Sequence, residues 1–142
     1  MTWLVERLTE LRRYLDHLRK LRPRVIGPQS LEQDLSLRND VLHSLLMVCQ
    51  LVIDISGELA ARRGERFEDY VGAVRALARD SRFSTELVAR LEPLPGFRNV
   101  LVHEYVALDL ERVLHALNGL DPIEQFLDVV IAVEASREDA AQ

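Results

Sequence analysis

The most constraining feature of this sequence is a long apolar segment in its first half. Eleven of the fifteen residues from Val41 to Ile55 are apolar, so a helix through them is apolar on nearly every side. Such a helix must be buried on more than one side, which places it at the centre of a bundle. Ser30, with Gln33 three residues later, forms a capping-box pattern, and Gly64 suits a helix end. We therefore predict one central helix over residues 30–63.

The remaining segments also have helical spacing. Near the N-terminus, leucines recur at alternating four- and three-residue steps, which predicts a helix over 2–22 with one apolar stripe. These residues are Leu4, Leu8, Leu11, Leu15 and Leu18. The further predicted helices cover 67–80, 84–91 with a Ser84 cap, about 97–117 with a restart capped by Asp109, and a last helix capped by Asp121.

Length and composition fit one helical domain. The chain has 142 residues, with 6 glycines and 5 prolines. That length allows one domain with a proper core, and the low glycine and proline content favours long helices over a turn-rich β fold. We predict an all-α antiparallel helical bundle that forms a single domain over 1–135, followed by a disordered tail over 136–142.

The charge balance and the single cysteine limit the function classes. The net charge of −5 argues against a general nucleic-acid binder, so any affinity for RNA must come from a local positive cleft. Cys49 stands alone in an apolar run, which excludes an internal disulfide and fits a reducing cytoplasm. Charged residues follow the N-terminus almost at once, so we expect no signal peptide. There is no uninterrupted run of about 18 apolar residues, so we expect no membrane span. Zinc-type Cys/His spacing and a Gly-rich phosphate loop are both absent, so we expect no metal and no cofactor.

Segment 97–105 carries the polar residues that suggest chemistry. It follows the Pro93–Gly96 break, whose prolines oppose a helix, so we predict that a helix begins at the end of this break. Arg98 would then lie in the first turn, and Asn99 and His103 would lie one turn apart on one face. Continued to residue 105, the same helix would place Tyr105 about 20° from Arg98.

This arrangement suits the cleavage of an RNA phosphodiester. A helix N-terminus with free N–H groups and the guanidinium of Arg98 beside it can bind a phosphate. An imidazole can move a proton, so His103 could take one from a 2′-hydroxyl, while the cation stabilises charge on phosphorus without a metal. The alternative is that these side chains make ordinary surface pairs and caps.

A polar stripe also interrupts the apolar central helix. Asn39, His43, Gln50 and Asp54 fall within about 60° of each other on a helical wheel. The stripe is either the solvated edge of the helix or the lining of the active cleft. In the second case Asp54 is the candidate to orient Arg98 or His103 by a charge-assisted hydrogen bond, and His43 is a weaker candidate for the lining.

The polar segment resembles a known family signature. Arg98-Asn99, three residues, then His103-Glu104-Tyr105 is similar to the Arg-Asn-x-x-x-His-x-Tyr signature of the HEPN superfamily. More narrowly, it resembles the HepT-like toxins that pair with a MntA-type minimal nucleotidyltransferase antitoxin. Chain size, helical pattern and the position of the motif after a Pro/Gly break agree with that resemblance.

The resemblance implies a function and a role for each motif residue. It implies a symmetric homodimer whose two motifs face a shared groove, and a metal-independent endoribonuclease with Arg98 and His103 as catalytic residues. Asn99 would support the site. Tyr105 would be the position that the ATP-dependent antitoxin adenylylates, which inactivates the toxin.

Two other hypotheses stay open at the level of the sequence. The chain could be a non-catalytic helical binding subunit of a nucleotidyltransferase, in which the motif confers only shape and anion affinity. It could also be a plain structural dimer.

Overall fold

The computed structural model describes residues 2–141, and this part of the chain contains no β-strand. Short 3-10 turns follow the first and fourth helices, at Arg22–Arg24 and Ala76–Arg79. The all-α prediction is therefore confirmed. The helices are α1 (Thr2–Leu21), α2 (Pro28–Gln33), α3 (Leu35–Arg62), α4 (Tyr70–Arg75), α5 (Thr85–Leu91), α6 (Leu94–His103), α7 (Leu110–Asn118) and α8 (Asp121–Ala141).

Helix α3 is the centre of the bundle, as its apolar sequence predicts. It packs against α1, α2, α4, α6, α7 and α8. Val41, Val48, Val52 and Ile55 on this helix are completely buried. By length and composition α3 could cross a membrane, yet 61% of its most apolar window is buried inside the bundle. The apolar surface of α3 is therefore used to hold the other helices together.

The predicted start of the central helix is wrong. Ser30 lies inside the separate short helix α2, where its Oγ accepts a hydrogen bond from the backbone N–H of Ile26 at 3.1 Å. The chain breaks at Asp34, whose extended backbone separates α2 from α3 and whose side chain accepts from the Leu37 N–H. Asp34 is thus the N-cap of α3, and a carboxylate one residue beyond the predicted capping box performs the capping. The predicted end is confirmed: Gly64, with φ of 72°, follows the last turn.

The N-terminal leucines form the packing face of α1. All five members of the stripe are buried, and α1 packs mainly on α3 and also on α8. The apolar stripe predicted from their spacing therefore packs against other helices of the same chain. Helix α8 completes this core with Phe126, which is fully buried.

Several other boundaries differ from prediction. The third helix is shorter than expected, since α4 begins after an Asp69 N-cap and tightens into a 3-10 turn after Arg75. The Ser84 cap of α5 is confirmed by its hydrogen bond from the Leu87 N–H. Helix α8 continues through Ala141, where we expected a disordered tail; Gln142 lies outside the described residues.

Candidate functional site

Helix α6 begins earlier than its prolines suggested. It starts at Leu94 after a Pro93 cap, and Pro95 occupies the first turn. Proline is tolerated there because the first N–H groups of a helix have no partner within it. Arg98 is consequently in the middle of α6 and not in its first turn. The helix N-terminus therefore does not add its free N–H groups to this guanidinium, and that part of the phosphate argument is wrong.

The helix also ends earlier than predicted. His103 is its last residue. Glu104 leaves the helical conformation, so Tyr105 lies in a connector and the predicted 20° alignment with Arg98 is wrong. The next helix, α7, starts after Asp109, whose side chain accepts from the Glu111 N–H. The predicted restart at Asp109 is confirmed.

The connector holds Tyr105 at the surface. Tyr105 is 63% exposed. Its backbone carbonyl accepts a long hydrogen bond from Nη2 of Arg38 on α3, at 3.4 Å. Tyr105 therefore lies at the surface two residues beyond His103, in a connector that is hydrogen-bonded to α3.

The guanidinium of Arg98 is held by neutral groups. Its Nε donates to Oε1 of Gln50 on α3 at 2.9 Å, and its Nη1 donates to Oδ1 of Asn99 at 2.9 Å. Its Cζ lies 5.3 Å from the centroid of the Tyr70 ring, a cation–π distance. Among the described residues Arg98 makes no ion pair. The guanidinium is thus held in one orientation by groups that do not neutralise its positive charge. Its remaining N–H groups are available to an anion.

Asp54 is linked to Arg98 through the side chain of Gln50. Its Oδ1 accepts from Nε2 of Gln50 at 2.8 Å, while Oε1 of the same amide accepts from Arg98. In this orientation the amide of Gln50 donates to Asp54 with its nitrogen and accepts from Arg98 with its oxygen. The expectation that Asp54 bonds directly to Arg98 or His103 is therefore corrected: the carboxylate orients Gln50, and Gln50 orients the guanidinium.

Asn99 and His103 share an exposed face of α6, as predicted. Both residues are exposed and they are one helical turn apart. Within residues 2–141 the imidazole of His103 forms no hydrogen bond or ion pair. Arg98 donates to Asn99, and Asn99 lies one helical turn from His103. Asn99 therefore links the guanidinium to the exposed face of α6 that carries the imidazole.

The polar stripe of α3 divides between two locations. Gln50 and Asp54 meet α6 at Arg98, whereas His43 contacts α1, with its ring edge-on to Tyr14 at 5.9 Å between centroids. His43 lines a separate cavity of about 530 Å3 with His17, whose Nε2 lies 2.7 Å from Oδ1 of Asp40. His43 is thus not brought to the candidate site.

A hollow of about 390 Å3 lies beside Arg98. It is lined by Asp69, Tyr70, Val71, Pro95 and Asn99, and His103 is not among its lining residues. Tyr70 is 41% exposed, and no role was predicted for it from the sequence. The polar residues Glu68 and Asp69 directly before Tyr70 were the sequence signal for its exposure. The orienting role of Gln50 was also missed, because it depends on a contact between α3 and α6.

The described residues hold no group of three or more histidine, cysteine, aspartate or glutamate side chains placed to bind a metal ion. The only cysteine, Cys49, is buried, and burial raises the pKa of its thiol to about 12.

Comparison with known proteins identifies a family that matches most of the chain. The family described as ribonuclease HepT-like matches residues 6–130. The mRNA nuclease HepT of Shewanella oneidensis is 29% identical over 103 residues, covering 71% of this chain and 77% of the relative. The tRNA nuclease HepT of Aphanizomenon flos-aquae is 29% identical over 116 residues, covering 79% of this chain and 76% of the relative.

A solved structure has the same fold. The tri-AMPylated HEPN toxin of Shewanella oneidensis, in complex with MNT antitoxin, superimposes with a TM-score of 0.78 at 24% identity. The match covers 91% of this chain and 96% of the other. At that identity the likeness establishes the architecture.

Proposed function

Because this chain belongs to the HepT-like ribonuclease family, we propose that it is a metal-independent endoribonuclease. Its substrate is RNA, and it acts as the toxin of a toxin–antitoxin pair. The observation that carries this proposal is how the side chains of the α6 motif are held. Arg98 is oriented by Gln50 and Asn99 and forms no ion pair among the described residues, and His103 is exposed one helical turn beyond Asn99. The nuclease names of two relatives support the same activity.

The proposed reaction is an internal phosphoryl transfer. His103 takes the proton of a ribose 2′-hydroxyl, and the 2′-oxygen attacks the adjacent phosphorus. Arg98 stabilises the negative charge that grows on the non-bridging oxygens. The bond from phosphorus to the 5′-oxygen breaks, and that oxygen leaves with a proton from a general acid. The products are a 2′,3′-cyclic phosphate and a 5′-hydroxyl. Asn99, which holds one edge of the guanidinium, is the supporting residue, and Asp54 supports it through Gln50.

We infer that the active form is a symmetric homodimer in which two α6 motifs face one groove. No histidine is among the residues that line the hollow at Tyr70, and we assign one imidazole, that of His103, to the motif of each chain. A second copy across the groove would supply the general acid for the leaving oxygen. The buried Cys49 fits a cytoplasmic location, where RNA is available.

We infer that Tyr105 is the regulatory position and that an MntA-type nucleotidyltransferase is the antitoxin. The phenol oxygen would attack the α-phosphate of ATP, forming an O–P bond and releasing pyrophosphate. The exposure of Tyr105 and its connector beside the end of α6 support this role. The added AMP would place bulk and negative charge where RNA phosphates approach, which repels substrate. The structurally similar toxin of Shewanella oneidensis is AMPylated and in complex with MNT antitoxin, which supports AMPylation as the form of the regulation.

RNA cleavage in the presence of EDTA tests the nuclease. We expect the purified chain to cut RNA under these conditions, and Arg98→Ala and His103→Ala each to lose at least about 100-fold in rate. His115→Ala is the matched control, since His115 is an exposed histidine in the last turn of α7. Folding of each variant is checked by circular dichroism. Full cleavage by both site variants would remove the proposed site, and folded wild-type protein without cleavage would favour the non-catalytic binding subunit.

Incubation with the nucleotidyltransferase and ATP tests the regulation. Mass spectrometry should place AMP on Tyr105, and cleavage should stop. Tyr105→Phe keeps the ring and lacks the phenol oxygen, so it should remain active in the same mixture. Inactivation of Tyr105→Phe to the same extent would show that the antitoxin acts without this oxygen.

A further inference from the structure

The hollow beside Arg98 has the features of a binding site for a flat group. Its wall is the exposed ring of Tyr70, the first residue of α4. Pro95 and Asn99 of α6 face it from the other side, so the hollow lies between two helices of the bundle. The guanidinium of Arg98 lies over the same ring, which places the hollow directly next to the group proposed to bind the scissile phosphate.

The charge of the hollow selects the kind of group that it can bind. Asp69 lines it, and Oδ1 of this carboxylate is already occupied by the Gly72 N–H at 2.7 Å. Its second oxygen forms no hydrogen bond among the described residues. A carboxylate repels a phosphate but accepts a hydrogen bond from an N–H group. The site therefore suits a neutral, planar ligand that carries an amine.

In single-stranded RNA a nucleobase meets this description, and a base lies within one nucleotide of every phosphate. Proteins bind single strands by stacking bases on exposed aromatic rings next to cationic groups that contact the backbone. The neighbouring positions of Tyr70 and Arg98 reproduce that combination in one chain. The volume of about 390 Å3 is open enough to admit one base from solvent.

We propose that this hollow is a nucleobase subsite, in which a base next to the scissile phosphate stacks on Tyr70 and donates an exocyclic amine to Asp69. The proposal rests on RNA being the substrate, as proposed above. It adds a source of sequence preference: cytosine, which carries such an amine, binds better than uracil, which has a carbonyl oxygen at the same position.

Binding of uncleavable oligomers tests the subsite separately from catalysis. The probes are three short fluorescent 2′-O-methyl oligomers of equal length: oligo(C), oligo(U) and a fully abasic oligomer with the same phosphates. Fluorescence anisotropy gives the Kd of each. We expect the wild-type protein to bind oligo(C) about 10-fold more tightly than the abasic oligomer, because stacking acts in addition to the phosphate contacts.

Tyr70→Leu should reduce this ratio to about one, and because the abasic oligomer carries the same phosphates, the ratio corrects for any change in phosphate binding through Arg98. The matched control is Phe67→Leu, because Phe67 is 40% exposed, similar to Tyr70, and does not line the hollow. A wild-type ratio near one, or a Tyr70→Leu variant that keeps the wild-type ratio, would overturn the subsite.

Asp69→Asn tests the amine contact. Asparagine keeps the oxygen that caps α4 but presents an N–H donor in place of the second oxygen. The preference should therefore shift from oligo(C) to oligo(U), and an unchanged preference would contradict the role of Asp69. These results are separate from the test of the nuclease. Base-dependent binding without cleavage of natural RNA would support the subsite and contradict the nuclease. Cleavage with base-independent binding would support the nuclease and contradict the subsite.

Discussion

At the scale of single residues, the unusual feature is a charged side chain that is oriented by uncharged ones. A carboxylate in direct contact with Arg98 would fix the guanidinium equally well, but it would compete with a phosphate for the same charge. Gln50 separates the guanidinium from Asp54 and fixes its direction through one amide. The positive charge is thus preserved for a substrate in a chain whose net charge is −5.

Removing the Gln50 amide should lower activity without unfolding the protein. Gln50→Ala leaves Nε of Arg98 without its acceptor, so the guanidinium is no longer held in one orientation. We expect RNA cleavage to fall by about 10- to 100-fold. Gln125→Ala, at an exposed glutamine on α8, is the control and should be fully active. Wild-type rates in Gln50→Ala would show that Asn99 and Tyr70 suffice to position Arg98.

The thiol of Cys49 should be unreactive in the folded protein. It is 1% exposed, and burial raises its pKa to about 12, so the nucleophilic thiolate is scarce at neutral pH. A thiol reagent such as dithionitrobenzoate should label it only after denaturation. Cys49→Ala in denaturant gives the blank. Rapid labelling of the native protein would contradict the burial of this side chain in α3.

At the scale of elements, caps decide where the helices that carry the site begin and end. Asp34 starts α3 and Asp109 starts α7 by accepting hydrogen bonds from backbone N–H groups. Between α6 and α7 the chain leaves the helix at Glu104, so Tyr105 is presented from a connector. A continuous helix over this segment would keep Tyr105 on the α6 surface beside Arg98. The interruption separates the proposed modification position from the proposed phosphate site.

The cap of α3 should be measurable as stability. Asp34→Ala removes the acceptor for the Leu37 N–H, and we expect the free energy of unfolding to fall by about 1 kcal/mol. Urea denaturation followed by circular dichroism measures the change. Ser36→Ala, in the exposed first turn of the same helix, should change stability much less. Equal effects of the two substitutions would indicate that Asp34 does not cap α3.

At the scale of the whole molecule, an ionic cluster around the buried carboxylate of Asp80 ties the end of α3 to the connector before α5. Asp80, which is 6% exposed, accepts from Arg82 through Nε at 2.9 Å and Nη2 at 2.7 Å. Arg63 at the end of α3 lies 3.5 Å from the same carboxylate and donates to the Ala76 carbonyl at 2.8 Å. These contacts give the buried carboxylate of Asp80 its hydrogen-bond partners.

This cluster predicts an acid-sensitive part of the stability. The hydrogen bonds from Arg82, with smaller contributions from the charges of Arg82 and Arg63, lower the pKa of Asp80 below its usual value of about 3.9. A lowered pKa in the folded state means that the stabilisation is fully present above that usual value and is lost as pH falls through the lowered pKa. Asp80→Asn should therefore cost about 1–3 kcal/mol near neutral pH, and the cost should shrink in acid.

Urea denaturation of the wild-type chain and Asp80→Asn across a pH series measures this difference. Asp139→Asn, at an exposed position of α8, is the control and should follow the wild-type curve. A cost for Asp80→Asn that stays constant from neutral to acid pH would mean that the charge of Asp80 contributes nothing.

Local sequence determined the helical architecture of this protein and the location of its motif. The apolar run that became α3, the leucine stripe of α1 and the caps Ser84 and Asp109 depend on residues within a few positions of each other, and all were predicted. The shared face of Asn99 and His103 follows from the same short-range periodicity. The roles of the motif residues in catalysis stay predictions.

The tertiary structure decided what surrounds Arg98. Gln50 is 48 residues away along the chain, and neither it nor Tyr70 could be assigned to the guanidinium before the packing of α3, α4 and α6 was known. The start of α6 at Leu94 and its end at His103 were also missed, because the packing of a helix face can outweigh the local preference of a proline or a boundary residue. Short-range periodicity sets the face on which a side chain lies, whereas the neighbour it meets there depends on how the helices pack.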